Sequence, residues 1–225
     1  MIPNHVEVFS IHILKAAGTS FYHTLNDVYG SEQVWRLDMP LQDDIIKKDG
    51  QPTILHEIPT TVKIVHGHFS YHKLNQNLYI SPQAQFITWL RHPIERILSH
   101  YDYLVSQLQT WLPKENHTIL YTMQKSLLEF AARPGNKNKM SQFLQGLPLE
   151  QFAFVGIVEH YADDLQQLAQ KLHWQHTPYK YTNKTEQKTQ QHQIPTHVLE
   201  QLAEWNQADI DLYQQAIELR KKRTA

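Results

Sequence analysis

The sequence predicts a three-layer α/β/α architecture built on a central, mostly parallel sheet. Short apolar segments rich in β-branched and aromatic residues recur along the chain, and stretches with helical spacing separate them. The chain is 225 residues long, with 41% hydrophobic and 19% charged residues. That length and balance predict a single domain over residues 1–225 with a full core of its own.

The first strand is predicted over Val6 to Ile13. Phe9, Ile11 and Ile13 share one parity and Val6 and Val8 the other, as in a strand buried on both faces. Lys15-Ala16-Ala17-Gly18-Thr19-Ser20 follows as a small-residue loop, and Phe21, Leu25 and Val28 then give a helical stripe. Residues 30–60 are rich in Asp, Pro and Gln and read as irregular. Val62 to His66 is a short strand ending in Gly67, and Gln85 to Leu90 is another.

Pro93 opens a helix, since proline suits the first helical position. Its apolar stripe is Ile94, Ile97, Leu98, Tyr101, Leu104 and Leu108. Residues 110–150 read as helical pieces broken at Arg133-Pro134-Gly135 and near Gly146-Leu147-Pro148. Phe152 to Val158 is the next strand, and Leu165, Leu168 and Leu172 mark the helix after it. Residues 173–194 are polar and read as a mobile loop. A last helix runs from about Thr196 into Arg220-Lys221-Lys222-Arg223, which reads as a solvated end.

Several function classes fall away on composition. There is no cysteine, so disulfide scaffolds, thiolate zinc sites and cysteine nucleophiles are excluded. No apolar run approaches the ~18–20 residues of a membrane helix, so no integral membrane segment is expected. The first residues lack the basic and apolar regions of a secretory signal. A formal net charge of −1 gives no general case for a nucleic-acid partner or for a basic cleft. The fifteen histidines leave room for pH-dependent anion binding.

Ligands in parallel α/β folds bind beyond the carboxyl ends of the strands. The loops after Ile13, His66 and Leu90 are therefore the places to look. In the first, Lys15, Gly18, Thr19 and Ser20 put a cation, a glycine and two hydroxyls at a helix start, which suits a phosphate. An ordinary turn with Thr19 or Ser20 as helix cap is the plainer alternative. In the third, Arg91 stands at the strand end and Ser99 two helical turns on, a fork and a hydroxyl for a second phosphate. A simple Arg91–Glu95 surface pair is the alternative there. His66 and His68 share strand parity, so both can face one cleft. They read as base and helper, as ordinary histidines, or as two metal ligands with no third in sight.

Taken together, these segments resemble the sulfotransferases that use 3′-phosphoadenylyl sulfate (PAPS). His12 to Phe21 is similar to their 5′-phosphosulfate loop, and Leu90 to Tyr101 to their 3′-phosphate segment. His66-Gly67-His68-Phe69-Ser70-Tyr71 resembles the base-bearing segment of the carbohydrate branch that includes heparan sulfate 2-O-sulfotransferase. Asn138 to Gly146 and Phe154 to Glu159 are similar as well.

The resemblance implies a P-loop-like fold and transfer of the sulfuryl group to a hydroxyl, leaving adenosine 3′,5′-bisphosphate. The acceptor would be a glycan or small molecule, and no metal would be required. It implies that Lys15, Ala17, Gly18, Thr19 and Ser20 hold the 5′-phosphosulfate and that Arg91 and Ser99 hold the 3′-phosphate. Lys184 would belong to a late loop over the nucleotide. His68 would be the base, His66 its helper or an acceptor-orienting group, and Lys15 would stabilise the bridging oxygen. Leu14 stands where the family often has proline, Ala16 where it often has a hydroxyl, and His92 where Asp is common. With no anchor and no cysteine, a cytoplasmic relative is expected.

Two rivals remain at this level. A P-loop kinase shares the fold class but needs Gly-Lys-Ser/Thr after its glycine loop, whereas here Lys15 precedes Gly18. A non-catalytic nucleotide- or glycan-binding relative would keep the fold and lose the chemistry.

Overall fold

The computed structural model describes Ile2 and residues 4–111, 126–177 and 194–224. Lys184, most of the polar stretch 173–194 and residues 112–125 lie outside the described residues.

The first strand, β1 (Val8–Ile11), is buried along its whole length and sits inside a seven-stranded sheet. The sheet order is β4-β3-β2-β5-β1-β6-β7, with β2 at Val34–Asp38, β3 at Lys47–Lys48 and β4 at Gln51–Pro52. β5 is Ile64–Gly67, β6 Gln85–Leu90 and β7 Phe154–Ile157. β2, β5, β1, β6 and β7 run parallel, while β3 and β4 are antiparallel additions at one edge.

The stretch 30–60 is thus not irregular throughout. Val34, Leu37 and Met39 are buried, and Asp49-Gly50, both at positive φ, turns β3 back into β4. The Asp- and Gln-rich flanks mask this strand in the sequence, because β2 is partly exposed at Trp35 and Arg36.

The first helix, α1 (Gly18–Tyr29), buries Gly18, Phe21, Thr24 and Leu25, one stripe at helical spacing. The short α2 (Tyr71–Asn77) is capped by Ser70, which accepts from the Lys73 amide. Helix α3 (Pro93–Trp111) buries Ile94, Ile97 and Leu98 against Phe130 and Ala131 of α4 (Leu127–Ala131) and Leu202 of α7 (Thr196–Trp205). That cluster ends near Tyr101, so the predicted stripe breaks off and Leu104 is exposed. Helices α5 (Lys139–Leu144) and α6 (Tyr161–Lys171) complete the middle of the chain.

The predicted C-terminal helix is two, α7 and α8 (Gln207–Thr224), parted at Asn206. The Asn206 side chain is turned to other work: it donates to the Leu202 carbonyl and accepts from the Asn138 amide. Nor is the basic tail simply solvated. Arg220 and Arg223 both pair with the fully buried Asp164, at 2.7 and 3.2 Å. β6 and β7 approach closely because Gly156 lies against Trp89; a Cβ there would sit 2.3 Å from the ring. No described helix is long and apolar enough to cross a membrane.

Candidate active site

Parallel order places the carboxyl ends of β5, β1 and β6 side by side, so the three predicted loops meet at one edge of the sheet. The loop after β1 is unusual in its backbone. Lys15 and Ala17 both adopt the left-handed conformation, with φ 65 and 58, and Ala17 is the residue that caps α1. Non-glycine residues pay about 1–3 kcal/mol each for sparsely populated conformations, and such strain collects at functional sites. No side chain caps the helix, so the predicted alternative of a Thr19 or Ser20 cap does not occur. A helix start without a side-chain cap suits an anion. Thr19 is exposed, whereas Ser20 is 2% exposed, which makes Thr19 the open hydroxyl of the loop.

Gly18 is required by contact. A Cβ there would lie 1.8 Å from the His12 ring. That ring reaches further: it stacks on His68 at 4.0 Å and on His66 at 5.0 Å between centroids. Register explains the arrangement. Ser10 pairs with His66 and Ile11 with Gly67, so the same offset carries His12 beside His68. His12 is the functional neighbour that sequence reasoning passed over; the available signal was its place two residues beyond the register pair of His66.

The three histidines are not equivalent. His66 is 2% exposed, its Nδ1 lies 2.8 Å from the Ser10 hydroxyl, and its Nε2 is buried without a hydrogen-bond partner. Burial, then the His68 and Arg36 charges, push it down to about 3, against a small opposing pull from the Gly18 backbone. A ring so enclosed supports its neighbours from behind, as the helper role expects. His12 is likewise held well below the ordinary histidine range, chiefly by burial.

His68 alone of the three is partly exposed. Its Nδ1 lies 2.8 Å from the His12 carbonyl. A carbonyl only accepts, so Nδ1 carries the hydrogen and the lone pair of the neutral ring is on Nε2. Its backbone N–H donates to Asp38 at 2.8 Å. Burial lowers its proton affinity, the Asp38 carboxylate and the His12 carbonyl raise it, and Arg36 and Lys139 lower it again. Face-to-face rings do not aim three nitrogens at one point, and no group of three or more metal-ligating side chains is found among the described residues.

Arg91 joins the first and third loops. Its Nη1 reaches the Lys15 carbonyl at 3.4 Å and its Nη2 the Glu95 carboxylate at 3.6 Å. The surface pair foreseen as an alternative therefore exists, but it is long and shares the guanidinium with the phosphosulfate-type loop. Ser99 stands on α3 in a half-buried position. The Lys15 ammonium lies 4.2 Å from the Tyr103 ring centroid. Burial and then Arg91 push Lys15 below its ordinary range, and Asp102 pulls it back. Arg96, next along α3, is fully buried, with Nε and Nη1 unbonded and only Nη2 donating, to the Asn136 carbonyl at 3.2 Å.

So a chain of net charge −1 gathers its cations at one edge, which the overall charge did not indicate. The opposite ends of the same loops are held by carboxylates. Glu159 accepts from the His92 amide at 2.9 Å and from the Tyr213 hydroxyl at 3.1 Å, tying β6, β7 and α8 together. An uncapped helix start, a strained small-residue loop, two basic side chains beside it and a tautomer-fixed histidine suit an oxyanion donor and a proton acceptor.

Comparison with known proteins agrees. A sulfotransferase crystal structure from Alicyclobacillus acidocaldarius has a similar fold, with a TM-score of 0.52 and 15% identity over 95% of this chain and 96% of that one. No curated protein matches the chain. The pattern of the Sulfotransferase family matches residues 1–215, and the chain belongs to that family of sulfuryl-transferring enzymes.

Proposed function

We propose that this sulfotransferase uses PAPS as donor and sulfates a hydroxyl of a carbohydrate, with His68 as general base. The observation that carries the reading is the His68–His12 hydrogen bond, which leaves Nε2 as a lone pair at the one partly exposed ring of the stack. A base that is neutral at physiological pH is the form sulfuryl transfer needs. The carbohydrate branch rests on the likeness of His66-Gly67-His68 to that branch's base segment.

In this reading Lys15, Ala17, Gly18, Thr19 and Ser20 receive the 5′-phosphosulfate, Ser20 through its place in the helix start rather than through an exposed hydroxyl. Arg91 and Ser99 receive the 3′-phosphate. His68 takes the acceptor proton on Nε2. Lys15 offset the charge left on the phosphate oxygen when its bond to sulfur breaks, a form of charge stabilisation that works best away from bulk water. His12 and His66 stay neutral and hold His68 in place. Lys184, which lies outside the described residues, is a further proposed contact of the nucleotide.

The test is calorimetric binding of adenosine 3′,5′-bisphosphate, with ATP and AMP as comparators. The wild type should prefer the bisphosphate, and Lys15→Ala and Arg91→Ala should each weaken it about 10- to 100-fold, or about 1.4–2.7 kcal/mol. A magnesium-dependent preference for ATP would overturn the donor assignment. With an acceptor in hand, His68→Ala should bind the bisphosphate normally and lose about 10²–10⁴ in transfer rate; full activity in that variant would remove His68 as base.

A further inference from the structure

Helix α5 carries a lysine whose surroundings make little sense for stability alone. Lys139 is 9% exposed, yet among the described residues it meets no carboxylate and no hydrogen-bond acceptor. Its ammonium has a ring for company, Phe143, 5.5 Å from the centroid. Phe143 in turn packs edge-on against His68 at 6.4 Å. Burial and then the Arg96 charge push Lys139 below the ordinary lysine range. A largely buried cation without a counter-charge gives up hydration that the chain does not return.

The chain nonetheless fixes this residue with care. Asn138 is left-handed at φ 46, and its amide donates to Asn206 at 2.9 Å. Asp209, fully buried, accepts from the Met140 amide at 3.0 Å and the Ser141 amide at 2.8 Å, so its carboxylate is spent on the helix start. The Asn138 side chain accepts from the Asp209 amide, closing the loop of bonds. Asn206 and Asp209 thus set the residues on either side of Lys139, and neither bonds its ammonium. Lys139 shares with Phe143 the helix turn that packs against the His68 ring.

We infer that Lys139 is a second cation of the donor site, binding the non-bridging oxygens of the sulfuryl group from the His68 side. The inference rests on the PAPS reading above. In the transfer, the S–O bond to the donor phosphate breaks and an S–O bond to the acceptor oxygen forms. The acceptor proton goes to His68 and the electron pair of the broken bond stays on the bisphosphate. Lys139 takes no proton; it stays an ammonium that neutralises the group in flight.

The experiment compares two nucleotides that differ only by the sulfuryl group. Affinities for PAPS and adenosine 3′,5′-bisphosphate are measured by calorimetry, without acceptor, on wild type, Lys139→Met and Lys139→Arg, each shown folded by its thermal melt. Wild type should bind PAPS more tightly than the bisphosphate. Lys139→Met should lose at least 10-fold toward PAPS while its bisphosphate affinity stays within about 2-fold, and Lys139→Arg should keep most of the PAPS preference. Equal affinities for PAPS in Lys139→Met and wild type would overturn the assignment and leave the donor reading intact. A parallel loss for both nucleotides would make Lys139 a phosphate ligand instead and also overturn it. Wild type that binds neither nucleotide would sink the donor reading itself.

Discussion

Two buried clusters of charge, one around Asp164 at the end of β7 and one around the histidine stack of β1 and β5, are built on opposite rules. Around Asp164 every charge has a partner. Its carboxylate accepts from Arg220 at 2.7 Å and from the Ile157 amide at 2.8 Å and pairs with Arg223 at 3.2 Å; Arg223 also donates to the Val155 carbonyl and covers the Phe154 ring at 4.0 Å. Around the histidine stack, Lys15, Arg96 and Lys139 have no bonded carboxylate among the described residues, and Asp102 and Asp209 act on Lys15 and Arg96 only from a distance. Desolvation costs both clusters, and the first recovers it through bonded ion pairs. In the function proposed above, the second is completed by an anion that arrives from outside.

The comparison breaks most visibly at Asp164. Asp164→Ala strands two guanidiniums and one strand amide, and removing one side of a buried ion pair costs about 3–5 kcal/mol. Urea unfolding should show a loss of that size. Lys139→Met removes a largely buried charge with no ion-pair partner among the described residues, so it should leave stability unchanged or raise it. If the two variants lose stability alike, the distinction between paired and ligand-directed charge fails.

A middle-sized effect comes from acid. His66 and His100 have folded-state values lowered to about 3 and about 4, mainly by burial, below the ordinary histidine value near 6.5 in the unfolded chain. The unfolded chain therefore takes up protons first as the pH falls. Their contribution to stability is complete above about 6.5 and is lost progressively below it, down to about 4 for His100 and about 3 for His66. Each histidine kept neutral costs about 1.4 kcal/mol per pH unit in that window. Thermal melts from pH 7.5 to 5 should fall accordingly, and bound adenosine 3′,5′-bisphosphate should reduce the loss by adding negative charge beside the stack. A melting temperature that stays level to pH 5 would show that these rings protonate freely.

Much of this was legible in the chain and some was not, for definable reasons. β1, β5 and β6 are read correctly because they are buried on both faces and so appear as unbroken apolar runs. β2 is hidden because Trp35 and Arg36 are half exposed and the two strands beyond it at the sheet edge are two residues each. The phosphosulfate-type loop is visible as residues in a row. His12 and Lys139 are not, since their meaning comes from distance in sequence. His12 becomes a neighbour of His68 through a strand register offset by 56 residues, and Lys139 is fixed by Asn206 and Asp209, whose bonds span 68 to 71 residues. The charge total of −1 concealed the basic edge for the same reason, because pairing around Asp164 and Glu159 is a property of the fold.

The smallest effect sharpens the comparison furthest. Lys15 rests over the Tyr103 ring, a contact that is half open to water because Tyr103 is 43% exposed. A cation over an exposed ring gains about 0.5–1 kcal/mol, which corresponds to about a 2- to 5-fold change in an equilibrium. Tyr103→Leu should weaken bisphosphate binding by that factor and leave the urea midpoint alone, while Tyr103→Phe, which keeps the ring, should match wild type. The pair of variants separates two ways of holding a lysine ready. If the ring only rests the side chain between turnovers, Tyr103→Leu will bind the bisphosphate as tightly as wild type, and the strained backbone at Lys15 does the aiming alone. If the loss approaches that of Lys15→Ala, the ring is the main support of the charge. The predicted small loss sits between these because two supports share the work: a left-handed backbone that sets the direction of the side chain, and an aromatic face that replaces part of the water a half-buried ammonium gives up.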